Sequence, residues 1–260
     1  MTDIDMRIAV ASDAPRIVKL VSRAFDSSFI DRSIYCAHGI QEFLKRQIHF
    51  QTLGGESRFF VAERLSTIVA MVEIRRLPEM CFINMVAVDP SIQGQGIGRA
   101  ILQYALGFDT SSVELGLDVR VQESRVRDWY IRWGLSCTTS CNWWSLPQRK
   151  SEKSWFTLKG MPQAMSLYEI FGFCQFKVVT DCGQYNVGML GTNWFRIDDV
   201  QALTDAGLTS ALAEVDSSRK VLAVLPGNVD DMQFGDSAKL LDSTVRMVGK
   251  LVQAVEHLSV

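Results

Sequence analysis

Val86-Ala87-Val88-Asp89-Pro90-Ser91-Ile92-Gln93-Gly94-Gln95-Gly96-Ile97-Gly98-Arg99 is the stretch on which the fold is read. The apolar run from Met80 to Val88 reads as a buried central strand, and Pro90, which has no amide to donate, ends it. Three alternating glycines then lead into Ile97, Ile101, Leu102, Ala105 and Leu106, which share one helical face as far as Gly107. Glycine has no Cβ, so its backbone amides can turn toward an anion and approach it closely. The first amides of a helix lack partners, and the helix dipole adds a field that favours phosphate. The stretch reads as an anion cradle, with an ordinary glycine-rich turn as the plainer alternative. A dinucleotide fingerprint needs G-x-G-x-x-G, and here Gly98 is out of register, so a nicotinamide cofactor is disfavoured.

On the N-terminal side, Arg7 to Val10 reads as a strand. Asp13 and Pro15 then open a helix carrying Ile17, Leu20, Val21, Ala24 and Phe25 on one face. A second helix is expected over Gln41 to His49. The segments Arg58 to Glu63 and Ile68 to Arg75 read as a hairpin. Strand, helix, three strands and a helix define an α/β (α+β) sandwich around a mixed, mostly antiparallel sheet.

The composition fits that reading. The 260 residues are 47% apolar and 22% charged, as in ordinary globular proteins, and the net charge of −2 gives no bulk attraction to nucleic acid. No stretch approaches the roughly 20 apolar residues that span a bilayer, and the N-terminus lacks a signal peptide's pattern. The six cysteines are scattered, which suits a reducing compartment, so a cytoplasmic protein without membrane attachment is expected. His38, His49 and His257 form no ligand pair, and Cys137-x-x-x-Cys141 stands alone, so no metal is expected. Neither a GxSxG elbow nor a GxxxxGK[ST] loop occurs.

Gln93-Gly94-Gln95-Gly96-Ile97-Gly98 resembles the [RQ]-x-x-G-x-[GA] signature of the GNAT superfamily of acetyl-CoA-dependent N-acetyltransferases, and Ile83 to Pro90 is similar to that family's fourth strand. The resemblance implies that the backbone amides of Gln93, Gly94, Gln95, Gly96, Ile97, Gly98 and Arg99 hold the diphosphate of coenzyme A. It also implies that Val86 and Val88 pair through their backbone with the pantetheine arm, as an added strand would.

The family usually follows with a helix reading like L-Y-E-x-x-G-F, whose tyrosine faces the thioester sulfur. Two stretches are similar: Asp128 to Leu135, containing Tyr130, at the family's usual distance, and Leu167-Tyr168-Glu169-Ile170-Phe171-Gly172-Phe173, farther away but matching at every position. The closer match makes Tyr168 the expected catalytic acid, with core packing as the alternative role for Tyr168 and the favoured role for Tyr130. Choosing Tyr168 makes about 120–156 an atypical insert, holding five of the six tryptophans and the basic pair Arg149-Lys150. That stretch is either a genuine insertion or extra sequence from an incorrect gene model. Gln175 to Thr180 and Tyr185 to Leu190 then read as the strand pair closing the family's sheet.

The expected organisation is a GNAT-like domain over 1–192 and a C-terminal extension over 193–260, mainly helical. In the extension, Asp198 or Asp199 would cap a helix running to Gly207, and Lys220 to Leu225 would form a strand. Leu241, Val245, Val248, Val252 and Val255 follow at the spacing of a helical seam, which would pack on its own domain or, as the sharper reading, form a homodimer.

The activity implied is acetyl transfer from acetyl-CoA to a primary amine of a small molecule or peptide, by direct attack in a ternary complex. A backbone amide near Val86 would stabilise the developing oxyanion. Tyr168, with an ordinary pKa near 10, would protonate the departing thiolate. Glu73 and Asn84 lie near the expected cleft, and neither reads as a clear base. The alternative is a non-catalytic acyl-CoA-binding or regulatory module.

Overall fold

The computed structural model describes residues 4–109, 112–148, 154–229 and 238–259. In chain order the elements are β1 (Asp5–Ile8), α1 (Ala14–Ala24), α2 (Ser27–Asp31), α3 (Ile40–Phe50), β2 (Ser57–Arg64), β3 (Thr67–Leu77), β4 (Met80–Val88) and α4 (Ile97–Leu106). There follow β5 (Glu114–Arg120), α5 (Ser124–Ile131), β6 (Ser136–Leu146), β7 (Thr157–Lys159), α6 (Met161–Phe171), β8 (Phe173–Val179) and β9 (Gln184–Leu190). The last are β10 (Trp194–Ile197), α7 (Ala206–Asp216), β11 (Lys220–Pro226), β12 (Lys239–Lys250) and α8 (Leu251–Ser259). The fold is mixed α/β: mostly antiparallel, open sheet with flanking helices. Among the described residues no helix is long and apolar enough to cross a membrane.

The chain forms two compact units. The first comprises Met1–Ile30, Gln41–Thr139 and Val245–Val260, and the second comprises Asp31–Ile40 and Ser140–Thr244. In the first unit β1, β2, β3 and β4 pair antiparallel in that order, and β4 then pairs parallel with β5. The parallel step needs a crossover, and α4 supplies it. Its apolar face, Ile97, Ile101, Leu102, Ala105 and Leu106, buries against Leu115 and Leu117 of β5 and Met247 and Ala254 further on. At the outer edge Asp13 is wholly buried, yet its carboxylate meets both Arg7 and Arg16, and Glu63 meets the same two arginines. A buried acid persists only when paired in this way. Asp13 therefore receives the Val10 amide and the arginines and leaves α1 without a side-chain cap.

In the second unit β7, β8, β9 and β10 pair antiparallel in sequence, and β10 pairs parallel with β11 across the helix α7. The succession β8–β9–β10–α7–β11 thus repeats β2–β3–β4–α4–β5. Phe176, Val187, Phe195, Ala211 and Ala223 form a core of its own.

This path differs from the expected boundaries. Residues 120–156 are structural parts of both units: Trp133 is buried in the first core, with Trp129 packed on it, and Trp144 is buried in the second. Arg149-Lys150 lies outside the described residues. β8 and β9 do pair as a hairpin, but as part of the second unit's own sheet. Among the described residues after 192 there are three strands as well as two helices. Leu241, Val245 and Val248 lie on β12, and in α8 the buried residues are Leu251, Ala254 and Leu258, while Val252 is exposed. On a strand the step of three from Val245 to Val248 puts the two on opposite faces, so the five residues form no single seam, and β-branched valines favour the strand. The helix expected from Asp198 or Asp199 starts later, at Ala206, because Asp205 provides the cap.

Candidate functional site

The site lies in the first unit, where β4 and β5 part. Their parallel register runs Met80↔Glu114, Cys81↔Leu115, Phe82↔Gly116 and Ile83↔Leu117, and stops there. β4 continues to Val88, still paired to β3 through Val72↔Val86 and Ala70↔Val88. From Asn84 onward β4 has a partner on the β3 side and no ladder to β5. Such an edge presents amides and carbonyls to an extended ligand. Val86 and Val88 lie on this segment.

The fork has a local cause. The β3–β4 register shifts from Glu73↔Met85 to Ile74↔Ile83, which leaves Asn84 as an extra residue on β4. A bulge bends its strand and increases the local twist. Asn84 donates from Nδ2 to Oε2 of Glu73 at 2.8 Å. Oε1 of the same carboxyl accepts from Oγ of Ser57 at 2.9 Å and from Nε of Arg75 at 3.2 Å.

Beyond Val88 the chain turns through Asp89, which accepts from the Ser91 amide and hydroxyl and faces Arg23 at 3.0 Å. The Ser91 bonds hold its carboxyl below the usual carboxylate range against the opposing effect of burial. Gln93 folds its side chain back, donating from Nε2 to the Val88 carbonyl at 3.1 Å. Gly94 and Gly96 adopt φ of +78° and +79°, and a Cβ at either would meet nothing within 4 Å, so the turn is open on its outer side. Gly96 sits at the N-cap of α4 with no side-chain cap, and the first helical backbone bond runs from Ala100 to the Gly96 carbonyl at 3.0 Å. The amides of Ile97, Gly98 and Arg99 come before that bond and point out of the helix start. The Arg99 guanidinium turns away to the Leu258 and His257 carbonyls at the end of α8, so Arg99 can offer only its backbone here.

The structure therefore brings together Val86, Val88 and the run from Gln93 to Arg99. Tyr168 belongs to the second unit. On α6 its hydroxyl donates to the Gly191 carbonyl at 2.9 Å and accepts from Nη2 of Arg219 at 2.7 Å, with that guanidinium 5.2 Å from the ring centre. The helix that follows β5 is α5, and its Tyr130 is buried against Trp129 and Trp133, with burial pushing its hydroxyl pKa up. The Asn84 bulge left no sequence signal beyond a polar residue in an apolar strand. Among the described residues no three His, Cys, Asp or Glu side chains converge as a metal site.

The fold is shared with solved GNAT proteins over nearly the whole chain. Residues 25–135 match the family model described as Acetyltransferase (GNAT) family, a stretch that holds α2 to α5 and ends before α6. A tandem GNAT protein from the clavulanic acid biosynthesis pathway aligns over 96% of this chain and 99% of its own, at 11% identity and a TM-score of 0.66. A GCN5-related N-acetyltransferase from Sphaerobacter thermophilus aligns over 95% and 96%, at 14% identity and a TM-score of 0.60. No curated protein matches the sequence.

Proposed function

We propose that this chain transfers an acetyl group from acetyl-CoA, the co-substrate of the GNAT family, to a primary amine of a small molecule or peptide. The observation that carries the reading is the unpaired edge of β4 from Asn84 to Val88, opening beside the uncapped turn Gln93 to Arg99. The amides of that turn bind the diphosphate, and the edges of Val86 and Val88 orient the pantetheine arm. Acetyl-CoA supplies the activated acyl group. The backbone amides just after the bulge face the position where negative charge develops, and strand-bound donors of this kind need no reorganisation during reaction.

Titration calorimetry with coenzyme A, followed by free-thiol detection over a panel of primary amines, tests the reading. The expected results are binding and amine-dependent thiol release. Absence of any stabilisation or heat with coenzyme A would remove it.

A second reading, an acyl-CoA-binding module without turnover, draws on Glu73. That carboxyl is only 6% exposed and is engaged by Ser57, Asn84 and Arg75, instead of standing free as a base. Binding without thiol release across the panel would favour it.

A further inference from the structure

Building on the acetyl-CoA reading, we propose that Glu73 and Asn84 are positioning residues: their hydrogen bond holds the β4 bulge and so sets the direction of the Met85 and Val86 amides. Neither side chain needs to touch the acyl group for this role.

Three observations meet at one point. The extra residue on β4 is Asn84, and β4 leaves β5 immediately before it, after Ile83↔Leu117. The bulge side chain is tied by a 2.8 Å bond to Oε2 of Glu73. The carboxyl making that bond is itself buried and held on its other oxygen by Ser57 of β2 and Arg75 of β3. One carboxyl therefore links three adjacent strands where the fourth and fifth separate. A bulge has several low-energy shapes, and a buried, fully bonded polar group selects one of them, since leaving it unpaired is costly. The amides that follow inherit that choice. Ser57 is the first residue of β2, so the tie reaches back to the strand's start.

The experiment uses the full chain, acetyl-CoA labelled with 13C at the acetyl carbonyl, and infrared difference spectroscopy, with coenzyme A affinity measured in parallel. In the native protein the bound carbonyl band is expected to lie below its position in water, because the amides polarise it. Asn84→Ala leaves Glu73 bonded to Ser57 and Arg75, so the sheet keeps its buried acid satisfied. That variant is expected to return the band most of the way toward its free position and to lower amine-dependent turnover by roughly 10- to 100-fold. Its affinity for coenzyme A should stay within about twofold, since the diphosphate cradle is separate. Glu73→Gln places an amide donor against one of three donors and should shift the band in the same direction. If native protein shows no binding of acetyl-CoA, the functional reading and this one fall together. If native protein binds with a lowered band and Asn84→Ala keeps both that band and native turnover, the positioning role alone is overturned.

Discussion

Two parallel strand pairs with a crossover helix occur in this chain, β4–α4–β5 and β10–α7–β11, and they treat the helix start in opposite ways. Their connecting loops span 89–96 and 198–205, the same length, and end on the N-cap residue. In the first unit that residue is Gly96, and no N-cap side chain satisfies the amides beyond it. In the second it is Asp205, 4% exposed, whose carboxylate accepts from the amides of Gly207 and Leu208 at 2.7 and 3.1 Å and from the Thr180 hydroxyl. The second helix residue is glycine in both. A Cβ at Gly98 would touch only Val88 at 3.4 Å, whereas one at Gly207 would collide with Thr180 and the Trp155 carbonyl at 2.8 Å. The strands differ as well. β10 pairs with β11 along its whole length, from Trp194↔Lys220 to Ile197↔Ala223, while β4 leaves β5 at Ile83. One topology thus carries both a helix start free to take an external anion and a helix start already filled by its own acid.

The sharpest way to break this comparison is to move the second unit's device into the first. Gly96→Asp puts a carboxylate beside the first turn of α4, where its charge repels a diphosphate. The φ of +79° is tolerable for Asp at a cost of about 1 kcal/mol, so the variant should fold. Native protein is expected to bind one coenzyme A per chain. The variant should bind it on the order of 100- to 1,000-fold more weakly, the equivalent of about 3–4 kcal/mol. Calorimetry reads both stoichiometry and affinity. Unchanged binding in Gly96→Asp, or two sites in the native chain, would show that the two helix starts are not the distinction drawn here.

The converse change has a smaller effect and a different readout. Asp205→Ala removes a cap and the carboxylate partner of the Thr180 hydroxyl, which keeps only its longer 3.4 Å bond to the Gly183 carbonyl, so chemical denaturation should show about 2 kcal/mol less stability, with coenzyme A affinity retained. Burial alone would raise the Asp205 pKa, but the Thr180 hydroxyl and the two helix amides outweigh it and hold the carboxyl below its ordinary value. A carboxylate depressed in the folded state stabilises above the unfolded value near pH 4, and that contribution is lost as the pH falls through the folded value. The stability gap between native protein and Asp205→Ala should therefore narrow below about pH 4. A gap that widens in acid would contradict the assignment of this carboxylate as an ionised cap.

The same contrast explains what the sequence could reveal. The cradle and β4 were legible because every signal there is local: an apolar run, a proline stop, glycines at alternate positions and a helical face. The repeat in the second unit left no such mark. Its loop, Asp198 to Asp205, carries no glycine, and an aspartate cap is an ordinary helix start. The roles of β6 and β12 depend on pairing between segments about a hundred residues apart, as in the Ser136 to Val248 and Thr138 to Arg246 bonds, which local periodicity does not encode. The five specified letters of L-Y-E-x-x-G-F single out Tyr168 beside a helix-to-strand turn, and that turn is present: Gly172 follows α6 with φ of +76°. A short motif reports a local shape, and the same local shape occurs in both units.

Tyr168 gives the smallest effect and the most direct choice between the sequence reading and the structure. Its hydroxyl bridges the Gly191 carbonyl and Arg219, whose guanidinium is buried and also reaches the Trp194 carbonyl and Asp216. Tyr168→Phe keeps the ring that Arg219 covers and removes two bonds, to Arg219 and to the Gly191 carbonyl, which keeps its bond from Arg219, a loss of about 1–2 kcal/mol in stability. If that network is structural, amine-dependent thiol release by the folded variant stays within about twofold of native, and coenzyme A affinity is unchanged. A tenfold or greater loss of turnover, with the melting transition shifted only by that amount, would instead make the hydroxyl the thiolate's proton donor.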